Sequence, residues 1–227
     1  LMAELNFSEK RVLVVGGTSG INRGIAEAFA REDAHVAVVS RKQPKVDDTL
    51  VALRKAGASA VHGFAADVRD AVALAEGVAA LHKLWGELDV VVSGAAGNFP
   101  AFANSMSANA FKSVIDIDLL GTFHVMKAVY PFLKKPGAAI INISAPQAVL
   151  PMLAQSHVSA AKAGVDMITR SLALEWGREG IRINSIIPGP IDGTEGMARL
   201  APNDNLREAG VESIPLGRMG VPQDIAN

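Results

Sequence analysis

The residues with the clearest chemical potential lie near the N-terminus, in Val14-Val15-Gly16-Gly17-Thr18-Ser19-Gly20-Ile21-Asn22-Arg23-Gly24. Glycines directly after a β-branched run let the backbone turn tightly and approach a pyrophosphate, whose charge then rests on the N–H groups of the following helix. The bland reading is a plain glycine-rich turn, but a strand before, a helix after and a second βα unit behind favour the nucleotide. Asn22 stands where a third glycine is expected, a mild departure because asparagine tolerates positive φ better than most side chains. The second β-branched run ends in Ser40-Arg41-Lys42, with Lys45 near. A carboxylate there would bind a ribose 2′-hydroxyl and repel a 2′-phosphate, so a hydroxyl followed by cations favours NADPH over NADH. A solvated basic loop is the other reading of these cations. Asp67, after the third run, is either an acceptor for an adenine amino group or a helix N-cap.

Such groups need a scaffold that brings strand ends together. Short β-branched runs alternate with segments of helical periodicity, the pattern of repeated βαβ units and a parallel sheet. Strands are expected at Arg11–Gly16, His35–Ser40, Ala60–Ala65, Leu88–Ser93, Ala138–Ser144 and Ile181–Ile187. Helices are expected at Ser19–Glu32, Lys45–Ala56, Ala71–Trp85, Asn109–Leu133 and Gln155–Glu179. From Pro188 to Gly220 glycines and prolines replace any clear strand, in the position where α/β proteins keep loops that cover a ligand. Val221-Pro222-Gln223-Asp224 resembles a helix start, so the chain reads as a core that lacks its C-terminal end.

Composition bounds the answer. The 227 residues suit one open α/β domain, and 49% hydrophobic with 20% charged residues describes a large core buried on both faces of a sheet. With 22 Lys+Arg against 23 Asp+Glu there is no global field to draw the chain to nucleic acid or to anionic lipid. No stretch of about 18 apolar residues occurs to cross a membrane, and Leu1–Lys10 holds no apolar run of signal-peptide length. Zero Cys excludes disulfides and thiolate chemistry, which fits a reducing cytoplasm. The five histidines, His35, His62, His82, His124 and His157, show no metal spacing, so no metal is expected.

Over essentially its whole length the chain resembles a short-chain dehydrogenase/reductase. The resemblance is carried by Gly16-Gly17-Thr18-Ser19-Gly20-Ile21, Asp67-Val68, Ala95-Ala96-Gly97, Asn142-Ile143-Ser144, Ala161-Lys162-Ala163 and Ile181-Arg182-Ile183-Asn184 running into Pro188-Gly189. It implies a single Rossmann-like domain, a doubly wound parallel sheet flanked by helices on both faces, with a nicotinamide cofactor and a homotetramer. The long helices and Trp176 would then build subunit contacts, although a monomer would bury an apolar helix face in much the same way.

The departures bear on the reaction. Where the family has a Tyr four residues before the helical Lys, this chain has Val158; where it has a Ser thirteen residues before that Tyr, this chain has Ala145 beside Ser144; where it has a helical Asn, this chain has Asp118. The only Tyr, Tyr130, reads as a packing residue. Reducing a ketone creates a strongly basic alkoxide that demands a placed acid, and Val158 is none. Reducing a C=C conjugated to a thioester spreads charge into an enolate, whose carbon an oriented water can protonate. Asp118 and Lys162 could hold that water; a structural partnership is the alternative for Asp118.

One branch matches the combination, the 2,4-dienoyl-CoA reductases of peroxisomal type. The shared motifs are Ala95-Ala96-Gly97-Asn98-Phe99, Ala108-Asn109-Ala110-Phe111-Lys112, Asp116-Ile117-Asp118, His157 before Lys162, and Pro188-Gly189-Pro190-Ile191-Asp192-Gly193-Thr194-Glu195-Gly196. That resemblance implies NADPH-dependent reduction of an unsaturated acyl-CoA to a 3-enoyl-CoA in fatty acid β-oxidation. It implies cofactor contacts at Gly16, Thr18, Ser19, Gly20, Ile21, Ser40, Arg41, Lys42, Asp67, Val68, Ala95, Lys162, Pro188, Gly189, Pro190, Ile191 and Thr194. Acyl-CoA contacts would fall at Arg41, Arg69, Phe99, Ser107, Asn109 and Arg199. His157 either borders the pocket or is a structural histidine. Two other functions stay open: a carbonyl or 3-oxoacyl reductase that has recruited another acid, and a catalytically silent nucleotide-binding protein.

Overall fold

The computed structural model describes residues 6–227, so the start of the Leu1–Lys10 segment lies outside the described residues. Six strands, β1 (Arg11–Val15), β2 (His35–Ser40), β3 (Ala60–Ala65), β4 (Val90–Ser93), β5 (Ala139–Ile143) and β6 (Arg182–Ile186), form one sheet. All pairings are parallel, in the order β3-β2-β1-β4-β5-β6. The order reverses between β1 and β4, and a crevice opens at their carboxyl ends, where doubly wound sheets bind ligands.

Alternation along β1 explains the two layers. Val12 and Val14 face one side, with Val36, Val38 and Val92, against helices α1 (Gly20–Arg31), α2 (Gln43–Ala56) and α9 (Pro222–Ala226). Leu13 and Val15 face the other, with Val39 and Val91, against α3 (Ala71–Trp85), α5 (Gly121–Val129) and α6 (Ser156–Trp176). Both faces are buried, as continuous Val/Ile/Leu runs require.

Local chemistry moves several expected boundaries. Pro44 in its first turn starts α2 at Gln43 rather than Lys45. Leu88 belongs to an isolated bridge with Leu133 rather than to β4. The expected helix Asn109–Leu133 is a chain of four pieces: α4 (Ala108–Val114), a π-helical turn (Ile115–Leu120), α5 and a 3-10 turn (Tyr130–Phe132). The region 188–220 is not irregular throughout: it holds α7 (Glu195–Leu200) and α8 (Asp204–Glu212), capped by the side chains of Thr194 and Asn203. Short helices with little apolar periodicity escape a pattern search.

Tyr130 packs within the chain, its ring centroid 4.5 Å from that of Trp176 and its hydroxyl donating to Glu179 at 2.6 Å. Among the described residues no helix is long and apolar enough to cross a membrane, and no group of His, Cys, Asp and Glu could hold a metal ion.

Candidate active site

The crevice is a cavity of about 780 Å³, inside the range of roughly 300–1,000 Å³ usual for small-molecule sites. Its first wall is the turn between β1 and α1. Gly16 adopts φ +79°, and a Cβ there would come within 3.0 Å of the Ala95 amide nitrogen, so the position tolerates no side chain. Ser19 caps α1 without a side-chain hydrogen bond, which leaves the first-turn amides without a side-chain partner while Gly20, Ile21 and Asn22 line the cavity.

Asn22 itself is helical, without positive φ, which corrects the reason given for its presence. Its Nδ2 donates to the Gly94 carbonyl oxygen at 2.8 Å, tying α1 to the end of β4. A Cβ on Gly94 would lie 2.2 Å from Asn22 Oδ1, so the glycine at 94 is what makes room for the asparagine.

Every residue for which cofactor contact is expected lines this one cavity, from Gly16 through Ser40, Asp67 and Lys162 to Thr194. From the last residue of β2 onward the lining includes Ser40, Arg41, Lys42 and Lys45, with Lys45 Nζ 3.5 Å from Glu195 of α7. Asp67 is not a helix cap. That role belongs to Asp70, whose carboxylate accepts from the amides of Val72 at 3.1 Å and Ala73 at 3.0 Å. Asp67 instead accepts from Arg69 at 2.6 and 3.0 Å, and this bond holds its carboxyl below its ordinary range.

At the inner end stand Asp118 and Lys162, both almost wholly buried. The π-helical turn carries Asp118, and Thr122 Oγ1 donates to its backbone carbonyl at 2.6 Å. Lys162 comes from α6. Its Nζ lies 3.4 Å from Asp118 Oδ2 and donates to the Ile143 carbonyl at 2.9 Å. Asp118 Oδ1 accepts the Gly97 amide at 2.7 Å, while Oδ2 makes no hydrogen bond. Burial pushes the Asp118 carboxyl above its ordinary value, opposed chiefly by the Lys162 charge and then by the Gly97 amide. Val158, four residues before Lys162, is buried on the lining and offers no proton.

The residues expected to meet the acyl-CoA divide. Arg41, Phe99 and Arg199 line the cavity, and Arg199 Nη1 donates to the Asn98 carbonyl at 2.9 Å. The cavity lining includes none of Arg69, Ser107 and Asn109. Arg69 is turned onto Asp67; Ser107 caps α4 by accepting the Ala110 amide at 3.1 Å; Asn109 is exposed on α4. The lining also takes in Met197 and Leu200 of the 188–220 region, and Gln147 and Met152, which no spacing in the sequence marks. His157 does not border the cavity: it is fully buried, one layer behind Phe99.

The sterically bare turn, the helix start without a side-chain cap bond and the cations beyond Ser40 fit a phosphorylated dinucleotide, and Asp118 Oδ2, which faces Lys162 but accepts no hydrogen bond, marks where a polar group would be accepted. A family model described as enoyl-(acyl carrier protein) reductase matches residues 15–227. The chain belongs to the short-chain dehydrogenase/reductase family. It is an oxidoreductase. Among members of the family, a peroxisomal 2,4-dienoyl-CoA reductase of Arabidopsis thaliana, (3E)-enoyl-CoA-producing, is 42% identical over 94% of this chain and 74% of its own. One of the same name from Rattus norvegicus is 40% identical over 96% and 75%. Levodione reductase superposes with a TM-score of 0.91 at 29% identity, covering 97% of this chain and 88% of its own.

Proposed function

We propose that the protein reduces the conjugated C=C of a 2,4-dienoyl-CoA to a 3-enoyl-CoA with NADPH, as a step in the β-oxidation of unsaturated fatty acids. The observation that carries this reading is the Val158 methyl surface where a carbonyl reductase needs an acid, beside a buried carboxylate–ammonium pair whose Oδ2 accepts no hydrogen bond. The names of the relatives from Arabidopsis thaliana and Rattus norvegicus support the substrate class.

NADPH, when bound, supplies a hydride to the δ carbon of the dienoyl thioester. The electron pair moves through the diene to the thioester oxygen, leaving a dienolate whose α carbon then takes a proton, and the remaining double bond lies between the β and γ carbons. Lys162 and Asp118 hold the water that gives this proton: the ammonium donates to it and Oδ2 accepts from it. Lys162 also reaches the nicotinamide ribose. An enolate distributes its charge, so its carbon can be protonated by ordered water without a phenol. Asp118 keeps its geometry during the step because Oδ1 is fixed by the Gly97 amide.

Around that centre, the turn from Gly16 to Ile21 carries the pyrophosphate, Ser40, Arg41 and Lys42 take the 2′-phosphate, and Asp67, Val68 and Ala95 flank the adenosine. Pro188, Gly189, Pro190, Ile191 and Thr194 cover the nicotinamide end. Arg41 and Arg199 face the coenzyme A phosphates, and Phe99 walls the acyl chain. A homotetramer in the cytoplasm completes the reading. The test follows NADPH oxidation with a 2,4-dienoyl-CoA beside a 3-oxoacyl-CoA. Turnover of the dienoyl thioester alone is expected. Turnover of the oxo compound alone would make the protein a carbonyl reductase, and turnover of neither would favour the silent nucleotide-binding protein.

A further inference from the structure

His157 lies outside the cavity and makes one polar contact, with Nε2 2.9 Å from the carbonyl oxygen of Phe99. A carbonyl only accepts, so Nε2 carries the proton, and in the neutral ring Nδ1 keeps a lone pair. That Nδ1 is buried without a partner. An imidazole with one stranded nitrogen is a poor filler of apolar space; a leucine there would bury no unpaired ring nitrogen but would leave the Phe99 carbonyl without its donor, so the bond to Phe99 is what the ring adds. The ring must be read through what it holds.

It holds Phe99 twice, by the hydrogen bond and by ring contact at a centroid distance of 4.6 Å. The two preceding residues are tied as well. The Gly97 amide donates to Asp118 Oδ1 at 2.7 Å, and the Asn98 carbonyl accepts from Arg199 at 2.9 Å. Three consecutive residues thus link the π-helical turn, α7 and α6. Each of the three residues has two soft torsions and Gly97 has the widest freedom, so the segment keeps its course through these three ties, and losing the one at Phe99 removes a restraint two residues from the Gly97 amide. Gln155 Nε2 is the other donor near Phe99 O, at 3.4 Å, too long to replace the imidazole.

We propose that His157 is a positioning residue for the acceptor: through Phe99 it holds Gly97–Phe99 in the register that aims the Asp118 carboxylate and sets the Phe99 ring as the acyl wall. The inference rests on the proposed function, because it takes Asp118 and Phe99 as acceptor-side groups. It predicts a division of effects. The cofactor turn at Gly16–Ile21 makes no hydrogen bond to His157, so cofactor affinity should not depend on it, whereas acceptor affinity and turnover should fall together.

The experiment compares His157→Leu, His157→Gln and His157→Asn. The glutamine amide reaches about as far as Nε2 and restores the bond to Phe99 O; the asparagine amide stops short. Three quantities are measured: the Kd of NADPH, the Kd of a hexadienoyl-CoA with NADP+ bound so that no turnover occurs, and kcat for that thioester with NADPH. Expected are a loss of about tenfold or more in acceptor affinity and in kcat for Leu and Asn, NADPH affinity within about twofold, and recovery by Gln to within about threefold, as for an interaction that tightens in the reacting complex. Gln behaving no better than Asn, or NADPH affinity falling in step with acceptor affinity, would overturn the proposal. If Leu does not fold, the Gln and Asn pair decides alone. A wild-type protein that binds no acyl-CoA refutes the proposed function; a wild type that binds it, with all variants unchanged, refutes the role of His157 only.

Discussion

Asp118 and Lys162 stand 3.4 Å apart with side chains only 1% and 7% accessible, and each is aimed by a backbone group of a different element. The Gly97 amide turns the carboxylate and the Ile143 carbonyl turns the ammonium, so the pair keeps its orientation without any ligand. Two charges so deeply buried depend on one another. Removing one leaves the other uncompensated, at a cost of about 3–5 kcal/mol.

Activity and stability should therefore separate. Asp118→Ala and Lys162→Met alone are expected to lose about 3–5 kcal/mol of stability and about 10²–10⁴-fold in kcat. The double variant Asp118→Leu/Lys162→Met is expected to regain most of the stability and none of the activity. Denaturant melts beside NADPH oxidation check this; a double variant as unstable as the singles would contradict the coupling.

The pH dependence follows from the direction of the Asp118 shift. Burial raises its carboxyl above the ordinary 3.8, so across the interval above 3.8 the folded protein binds more protons than the unfolded chain. The contribution of Asp118 to stability thus falls as pH rises through that interval and is constant below it. Activity has the opposite sign, because the carboxylate form is needed to accept from the water. An acid limb of kcat/KM displaced above the ordinary carboxylate range is expected for the wild type. It should be missing from Asp118→Asn, measured over the same range.

Cofactor choice should follow the lining beyond β2. Arg41→Ala with Lys42→Ala is expected to raise the Kd of NADPH by about tenfold or more and to leave NADH nearly unchanged, since only the 2′-phosphate makes charge-assisted bonds. Ser40→Asp should reverse the preference. Equal loss for both dinucleotides in a binding titration would remove the 2′-phosphate from this position.

The Asn22–Gly94 contact offers a test of packing. Gly94→Ala places a methyl 2.2 Å from Asn22 Oδ1 and is expected to cost about 1–3 kcal/mol. In Asn22→Ala/Gly94→Ala the clash is gone, so the double variant should unfold at a higher denaturant concentration than Gly94→Ala alone.

Much of this architecture was legible from residue order. The glycines after β1, the β-branched runs and the cations after Ser40 are local signals, and Gly16, Gly20, the strand ends Val15 and Val39, and Arg41 and Lys42 lie on the cavity that the fold forms. The missing phenol was legible as well, because Val158 and Lys162 share a helix face four residues apart. The side chains that answer to distant backbone were not. Asn22 could be called a tolerated departure at a turn, but not a cross-link to Gly94; Asp67 could be a cap or a ligand, but its bond to Arg69 needed the loop's conformation. Ser107 and Asn109 match a branch motif, yet one caps α4 and the other is exposed on it.

By itself the sequence determined the alternation of elements, the glycine turn and the chemistry available along the chain, since these depend on neighbours within a few residues. Only the tertiary structure decided that a π-helical turn, the segment after β4 and α6 meet so that Asp118, Gly97 and Lys162 touch, and that His157 stands behind Phe99 rather than beside the cavity. The reason is physical: burial and orientation arise where elements remote in sequence pack together, and no spacing along one element encodes the distance to another.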